Sequence, residues 1–372
     1  MVKKPDLFLL GTIICLVILG VIILAGVSAP FALDTFNNPY YFLKHQTLYG
    51  LIPGIILAFF AFKTKIATIK KWAPIFLLLN LIFLLLVFLP KIGVEAKGAS
   101  RWLNLGFVSF QPSEFLKLTF VLYLASFLST RTQIFKNGGR ERADRKNFSQ
   151  TFVAFLAVVG LIGLLLILQP DISTLGIIAV TASLMYFLAQ TPFWHSILMI
   201  ILGSGGLALL VKFASYRFSR LLTFLNPEFD PMGQGYQAKQ ALITIGSGGI
   251  LGQGLGMSQQ KFGLLPEAMS DSIFAVFSEE MGFVGAIILL SFFLAFLWAS
   301  FRVVKRTPDS FSKLAALGIT CWICLQALVN ISSMTGLLPL AGIPLPFVSY
   351  GGSALIAELA GMGILLNISK QS

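Results

Sequence analysis

Ten long apolar runs constrain this chain more than any other feature. They fall near 7–28, 46–62, 72–90, 115–130, 150–169, 172–190, 193–214, 272–300, 314–334 and 348–368. A spanning helix needs about 20 mostly apolar residues, and backbone groups in hydrocarbon must be paired within the segment. Spanning β-strands would alternate apolar and polar residues over about ten positions, whereas stretches such as 76–89 show no alternation. Only 11% of the residues are charged and 56% are hydrophobic, against roughly 25% charged in a soluble domain. Lipid is therefore the solvent. The sequence predicts an all-α integral membrane protein with about ten transmembrane helices, a single polytopic domain over 1–372.

The net charge of +12 does not point to nucleic acid, because no basic stretch forms a soluble module. Counting the runs alternately places Lys3, Lys4, Lys63, Lys65, Lys70, Lys71, the basic residues of 131–146, Arg302, Lys305, Arg306, Lys313 and Lys370 on one side, 17 of the 27 Lys and Arg. Cytoplasmic loops carry the excess of basic residues, so both termini are expected inside. The first run follows Lys3 and Lys4 with no compelling cleavage site and reads as a retained helix. A large extracytoplasmic loop, about 215–271, is expected between the seventh and eighth helices. Its glycine-rich 241–255 part reads as a re-entrant or interfacial piece. Cys15, Cys321 and Cys324 lie in apolar runs and read as small hydrophobes.

The outer side carries the residues with chemical potential. Asp271 opens the eighth apolar run, as a helix cap or as a general base. Glu279 and Glu280 lie roughly 12–14 Å deeper along that helix, where acids pair or face a polar interior. Glu114 and Lys117 share one helix face as an ion pair or an anion site. Arg101, beside Trp102, suits interfacial anchoring or bidentate phosphate binding. Asp171 follows Pro170 in a tight turn. Arg217 and Arg220 either snorkel to headgroups or line a pyrophosphate site. The run Gly246-Ser247-Gly248-Gly249 lacks the preceding strand and lysine-serine pair of a nucleotide loop. No His, Cys and carboxylate cluster has zinc spacing.

Four stretches in order give a specific resemblance: Lys97-Gly98-Ala99-Ser100-Arg101-Trp102 running into Gln111-Pro112-Ser113-Glu114; Gln169-Pro170-Asp171; Gly235-Tyr236-Gln237 through Lys261 to Pro266-Glu267-Ala268; and Gly336-Leu337-Leu338-Pro339 through Pro344-Leu345-Pro346-Phe347 to Ser349-Tyr350-Gly351-Gly352-Ser353. Over nearly its whole length the chain resembles the SEDS family (shape, elongation, division, sporulation). The context of Lys261 and Glu267-Ala268 is more like the FtsW branch than the RodA branch. The resemblance implies a ten-helix inverting glycosyltransferase in the bacterial cytoplasmic membrane, polymerising lipid II on the outer face with release of undecaprenyl pyrophosphate. It also implies a class B penicillin-binding protein (a transpeptidase) as partner, among other divisome or elongasome membrane proteins. The family's essential aspartate falls on Asp271, although Met269, Ser270 and Ser272 stand where His, Thr and Phe are usual. Substrate contacts are expected from Arg101, Glu114, Lys117, Asp171, Arg217, Arg220, Lys261 and Glu267. No cofactor is required, and a divalent cation is compatible. Two other classes compete with this reading: a lipid II flippase, which needs polar groups through the full membrane depth, and a non-catalytic divisome scaffold.

Overall fold

The computed structural model describes residues 4–371 except 91, 97, 98, 105, 107, 108, 138–140, 190 and 214. It gives the backbone alone at 95, 96, 99, 131–137, 141–149, 207, 210, 211, 213 and 215–217. Each apolar run coincides with helix: α1 (Leu7–Phe36), α2 (Tyr41–Gln46) continuing through a wide turn (Thr47–Leu51) into α3 (Ile52–Lys63), α4 (Ile66–Leu86), α5 (Pro112–Asn137), α6 (Glu141–Leu168), α7 (Ile172–Leu188), α8 (Phe193–Phe213), α9 (Ser215–Leu225), α10 (Gln234–Ser247), α11 (Ile273–Arg306), α12 (Ser310–Met334) and α13 (Gly352–Ser369). Among the described residues, seven helical segments are long and apolar enough to cross a bilayer, and α7 and the first part of α8 are shorter apolar helices. The chain is a multi-pass helical membrane protein. Its outward surface is rich in exposed Ile, Leu and Phe, as a lipid-facing surface requires.

Helices α12 and α13, with the first part of α5, lie in the interior. In α12 and α13, 67% and 78% of the most apolar window is buried, against 17% in the Tyr41–Lys63 segment. Polar groups on α12 and α13 therefore face protein. Small residues allow the closest approach: a Cβ at Gly363 of α13 would collide with the backbone of Ala58 on α3.

Contacts sort the loops to two ends. At one, Asp6 bonds Arg302 at 2.6 Å and Ser369 receives the Asp6 N–H at 3.0 Å. There too Asn367 donates to Thr64 O at 2.6 Å and Lys370 to Phe62 O at 2.8 Å. At the other, Gln46 meets Ser349 and Gly351, Gln111 meets Ser353, and Asn330 meets Asp271. The basic residues 63, 302 and 370 thus lie at the end opposite to Asp271.

The 91–114 connection holds a structure the apolar pattern did not predict, a small antiparallel sheet of β1 (Gly93–Ala96), β2 (Ala99–Asn104) and β3 (Ser109–Phe110) in the order β1-β2-β3. The pattern that revealed the helices is carried by long apolar runs, and strands this short have none.

The glycine-rich segment has a definite structural task. Helix α11 breaks at Gly282, whose φ is 64°. The break removes the partners of Glu279 O, Glu280 O, Phe283 N and Val284 N. The segment after α10 supplies all four: Gln253 N to Glu279 O (3.0 Å), Gly254 N to Glu280 O (2.9 Å), Phe283 N to Gly249 O (2.9 Å) and Val284 N to Ile250 O (3.1 Å). Buried backbone groups must be paired, and here a loop does what a helix turn would have done. The approach is so close that a Cβ on Gly282 would collide with the backbone of Gly252 and Ile250.

Candidate active site

Asp271 sits half-buried in the turn that leads into α11. Helix α11 starts at Ile273, and its N-cap is Ser272, which makes no side-chain capping bond. Asp271 thus precedes the cap, and the turn is held from elsewhere. Ser270 N and Ser272 N both donate to Glu267 O at 3.1 and 3.0 Å, and Glu267 has φ 55°. The Glu267 carboxylate accepts from Ser270 Oγ at 2.7 Å, so its side chain closes the same turn. Asn330 of α12 donates one amide hydrogen to Asp271 O and the other to Ile343 O, each at 2.8 Å. Ser349 Oγ donates to Ser270 O at 2.5 Å, and Tyr350 N to Met269 O at 2.9 Å. The 336–350 loop therefore straps the two residues before the aspartate, and Asn330 ties the aspartate's own carbonyl to Ile343 of that loop. A Cβ at Gly342 would lie 3.7 Å from Asp271 Oδ2, so the carboxylate faces this loop.

Arg101 and Asp171 join the same end. The Arg101 guanidinium, on β2, donates to Gln169 O at 3.1 Å and to Pro170 O, and so clamps the turn between α6 and α7. Asp171 caps α7 by accepting Thr174 N at 3.3 Å, and its other carboxylate oxygen is buried with no hydrogen-bond partner among the described residues. Two residues later Ser173 Oγ donates to Ala341 O, next to Gly342. Arg101, Asp171 and Asp271 are thereby linked by one short path of contacts.

Lys117 is in a different position. Its ammonium pairs with Glu114 at 2.8 Å and donates to Gln326 Oε1 at 2.7 Å, with 1% of its side chain exposed. Gln326 also accepts Trp322 Nε1 at 2.9 Å and donates to Pro344 O at 3.0 Å. It reaches Glu358 Oε1 at 3.4 Å, and Glu358 Oε2 accepts Phe347 N at 2.8 Å. Sequence reasoning missed Gln326, Asn330 and Glu358. A single carboxylate within an apolar run is itself a signal, and Glu358 carries it.

Lys261 lies outside both groups. Its three N–H donors meet Gly26 O (3.1 Å), Gly256 O (2.7 Å) and Glu280 Oε1 (3.0 Å). Ser258 Oγ donates to Glu279 Oε2. The deep acids foreseen on α11 are paired, and Lys261 serves one of them. Arg220 is a half-buried residue of α9. The Arg217 side chain lies outside the described residues. Among the described residues no three His, Cys, Asp or Glu side chains gather as a metal site.

Residues 6–372 match the family of cell cycle proteins that comprises FtsW, RodA and SpoVE. The chain belongs to this family. Stage V sporulation protein E of Bacillus subtilis (strain 168) is 37% identical over 369 residues, covering 99% of this chain and 98% of the relative. The probable peptidoglycan glycosyltransferase FtsW of Geobacter sp. (strain M18) is 38% identical over 371 residues, covering 100% and 98%. Among solved structures, a chain from a peptidoglycan synthase complex that coordinates polymerization and crosslinking superposes with a TM-score of 0.74 at 29% identity, covering 98% of this chain and 97% of that one. The rod shape determining protein RodA of Thermus thermophilus superposes with a TM-score of 0.67 at 26% identity, covering 98% and 96%. The FtsW, RodA and SpoVE assignment agrees with the motifs that contain Arg101, Asp171 and Lys261.

Proposed function

We propose that this protein is a peptidoglycan glycosyltransferase that polymerises lipid II on the outer face of the bacterial cytoplasmic membrane. The observation that carries the reading is the strapping of Asp271: the Asn330 and Ser349 side chains and the Tyr350 N–H bond the backbone carbonyls of 269–271, and so fix the segment that bears one half-buried aspartate at the end opposite to the basic loops. The positive-inside rule makes that end extracytoplasmic. A carboxylate held in this way acts as a general base. Asp271 takes the proton of the acceptor sugar's 4-hydroxyl while that oxygen forms a bond to the donor's anomeric carbon. The bond from that carbon to the pyrophosphate oxygen breaks, undecaprenyl pyrophosphate leaves, and the configuration inverts.

Arg101 keeps guanidinium donors beyond the two it gives to Gln169 and Pro170. With Arg217 and Arg220 it stabilises charge developing on the leaving pyrophosphate. Glu114 and Lys117 act from below, as support for the strap, and Lys261, Glu267 and Asp171 hold the surrounding loops. A divalent cation would share the neutralising task, and no step is assigned to it. The likeness to a chain from a synthase complex supports a class B penicillin-binding protein as partner. A flippase is less well supported, because the polar groups at depth are sealed against one another: Lys117, Glu114, Glu279, Glu280 and Glu358 are all under 5% exposed.

The test incubates purified protein with lipid II, with and without a cognate penicillin-binding protein whose own catalysis is disabled. Glycan strands are the expected product. Lipid translocation without strands would replace this reading with the flippase.

A further inference from the structure

Glu358 has no part in the steps above, although its carboxylate is 1% exposed within α13. A buried charge is costly unless well bonded, and an apolar residue of similar size would pack an interior helix more cheaply. What the carboxylate provides is an acceptor. Its Oε2 holds the backbone N–H of Phe347 at 2.8 Å. Phe347 has φ 64°, a left-handed conformation that bulky residues avoid. It adopts that conformation inside a closed turn, where Val348 N and Ser349 N both return to Leu345 O at 3.2 and 3.0 Å. Leu345 N in addition donates to Ser349 Oγ at 2.7 Å. The same serine hydroxyl donates to Ser270 O, next to Asp271. Helix α1 braces the turn from behind, since a Cβ at Gly20 would collide with Phe347 O.

We propose that Glu358 is a positioning residue for glycosyl transfer: by anchoring Phe347 N–H it fixes the 343–350 turn, and that turn fixes the loop bearing Asp271. The proposal rests on the reading of Asp271 as the base. Gln326 shares the task, binding Pro344 O and the second Glu358 oxygen, and Lys117 and Glu114 fix Gln326 in turn. The path from Glu358 to the Asp271 loop runs through the Phe347 N–H, the closed turn and the Ser349 hydroxyl to Ser270 O.

The test compares Glu358→Leu, which removes the acceptor, with Glu358→Gln, whose amide oxygen can still accept Phe347 N–H. In the lipid II assay Glu358→Leu lowers kcat by about 10–100-fold, as a small misplacement of a reacting group does, with KM within about 2-fold. Glu358→Gln stays within about 3-fold of wild type, by the same logic of a retained acceptor. Amide hydrogen exchange is read alongside on all three proteins. In Glu358→Leu exchange rises in 345–350 and also in 266–272, which Glu358 does not touch, while α4 is unchanged. A normal rate for Glu358→Leu, an equal loss in Glu358→Gln, or an exchange rise that stops at 345–350 would each overturn the proposal. If wild type makes no strands, the reading of Asp271 as the base falls, and the exchange arm still decides whether Glu358 governs the Asp271 loop.

Discussion

Lys261 and Lys117 are both buried beside carboxylates, and they do different work. Lys261 gives every donor to a protein acceptor, two of them backbone carbonyls, and with Glu280 it pins α1 and the glycine-rich segment to a broken helix. Lys117 gives its donors to side chains, Glu114 and Gln326, and Gln326 passes the connection on to Glu358 and to the 343–350 turn above the aspartate. One lysine closes a seam. The other lies at the base of a relay that ends at Asp271. From sequence alone both were expected at the substrate, because an extracytoplasmic cation and a cation that holds two loop carbonyls look the same in a string of letters.

This contrast yields its own tests. The largest expected effect is on folding: Lys261→Met leaves Glu280 buried without its cation and should cost about 3–5 kcal/mol, read as a loss of folded protein after extraction. The double variant Lys261→Met/Glu280→Leu should recover most of that, since removing both partners is far milder than removing one. Strand synthesis per folded molecule should stay near wild type in that double variant. Lys117→Met should also destabilise, by about 3 kcal/mol, but its folded molecules should polymerise slowly. Equal specific activities for the two would erase the distinction. Gly282→Ala should cost about 1–3 kcal/mol through its disallowed backbone angle, with added strain against Gly252, and thermal unfolding measures it.

The smallest effect lies at the far end. Burial acts to raise the Asp6 pKa, but the N–H groups of Leu9 and Phe8 and the Arg302 guanidinium outweigh it and hold the carboxyl below its ordinary value of 3.8. A depressed folded pKa gives stability that is fully present above the ordinary value and is lost as pH falls through the folded one. Wild type should therefore exceed Asp6→Asn slightly in Tm at neutral pH, and the difference should shrink as pH falls below 3.8 and vanish once pH lies below the folded pKa. A difference that grows on acidification would contradict the assignment.

Much of the fold was legible because its signal is local. Ten apolar runs needed only counting, and helix covers each of them, seven segments among the described residues being long and apolar enough to cross a bilayer. Asp271 is singled out by its place at the mouth of the eighth apolar run and by the family resemblance, and the structure adds how its backbone is held. Other features were hidden for physical reasons. Glu280 and Lys261 are separated by 19 positions, and Gln46 and Ser349 by 303, so their pairings exist only after helices pack. Gln326 and Asn330 read as ordinary polar residues of an apolar run until burial shows that they face protein carbonyls. The glycine-rich segment was recognised as unusual near the membrane, yet its role in completing a broken helix required the kink at Gly282.

The account stands on one carboxylate, and the most direct measurement is strand formation by Asp271→Asn with lipid II, on protein shown to be folded by its wild-type Tm. The amide keeps the side chain's shape and the Asn330 bond to the backbone oxygen, and it cannot take a proton from a sugar hydroxyl. The rate should fall by about 10²–10⁴-fold. Strands made by this variant at a rate near wild type would contradict the account.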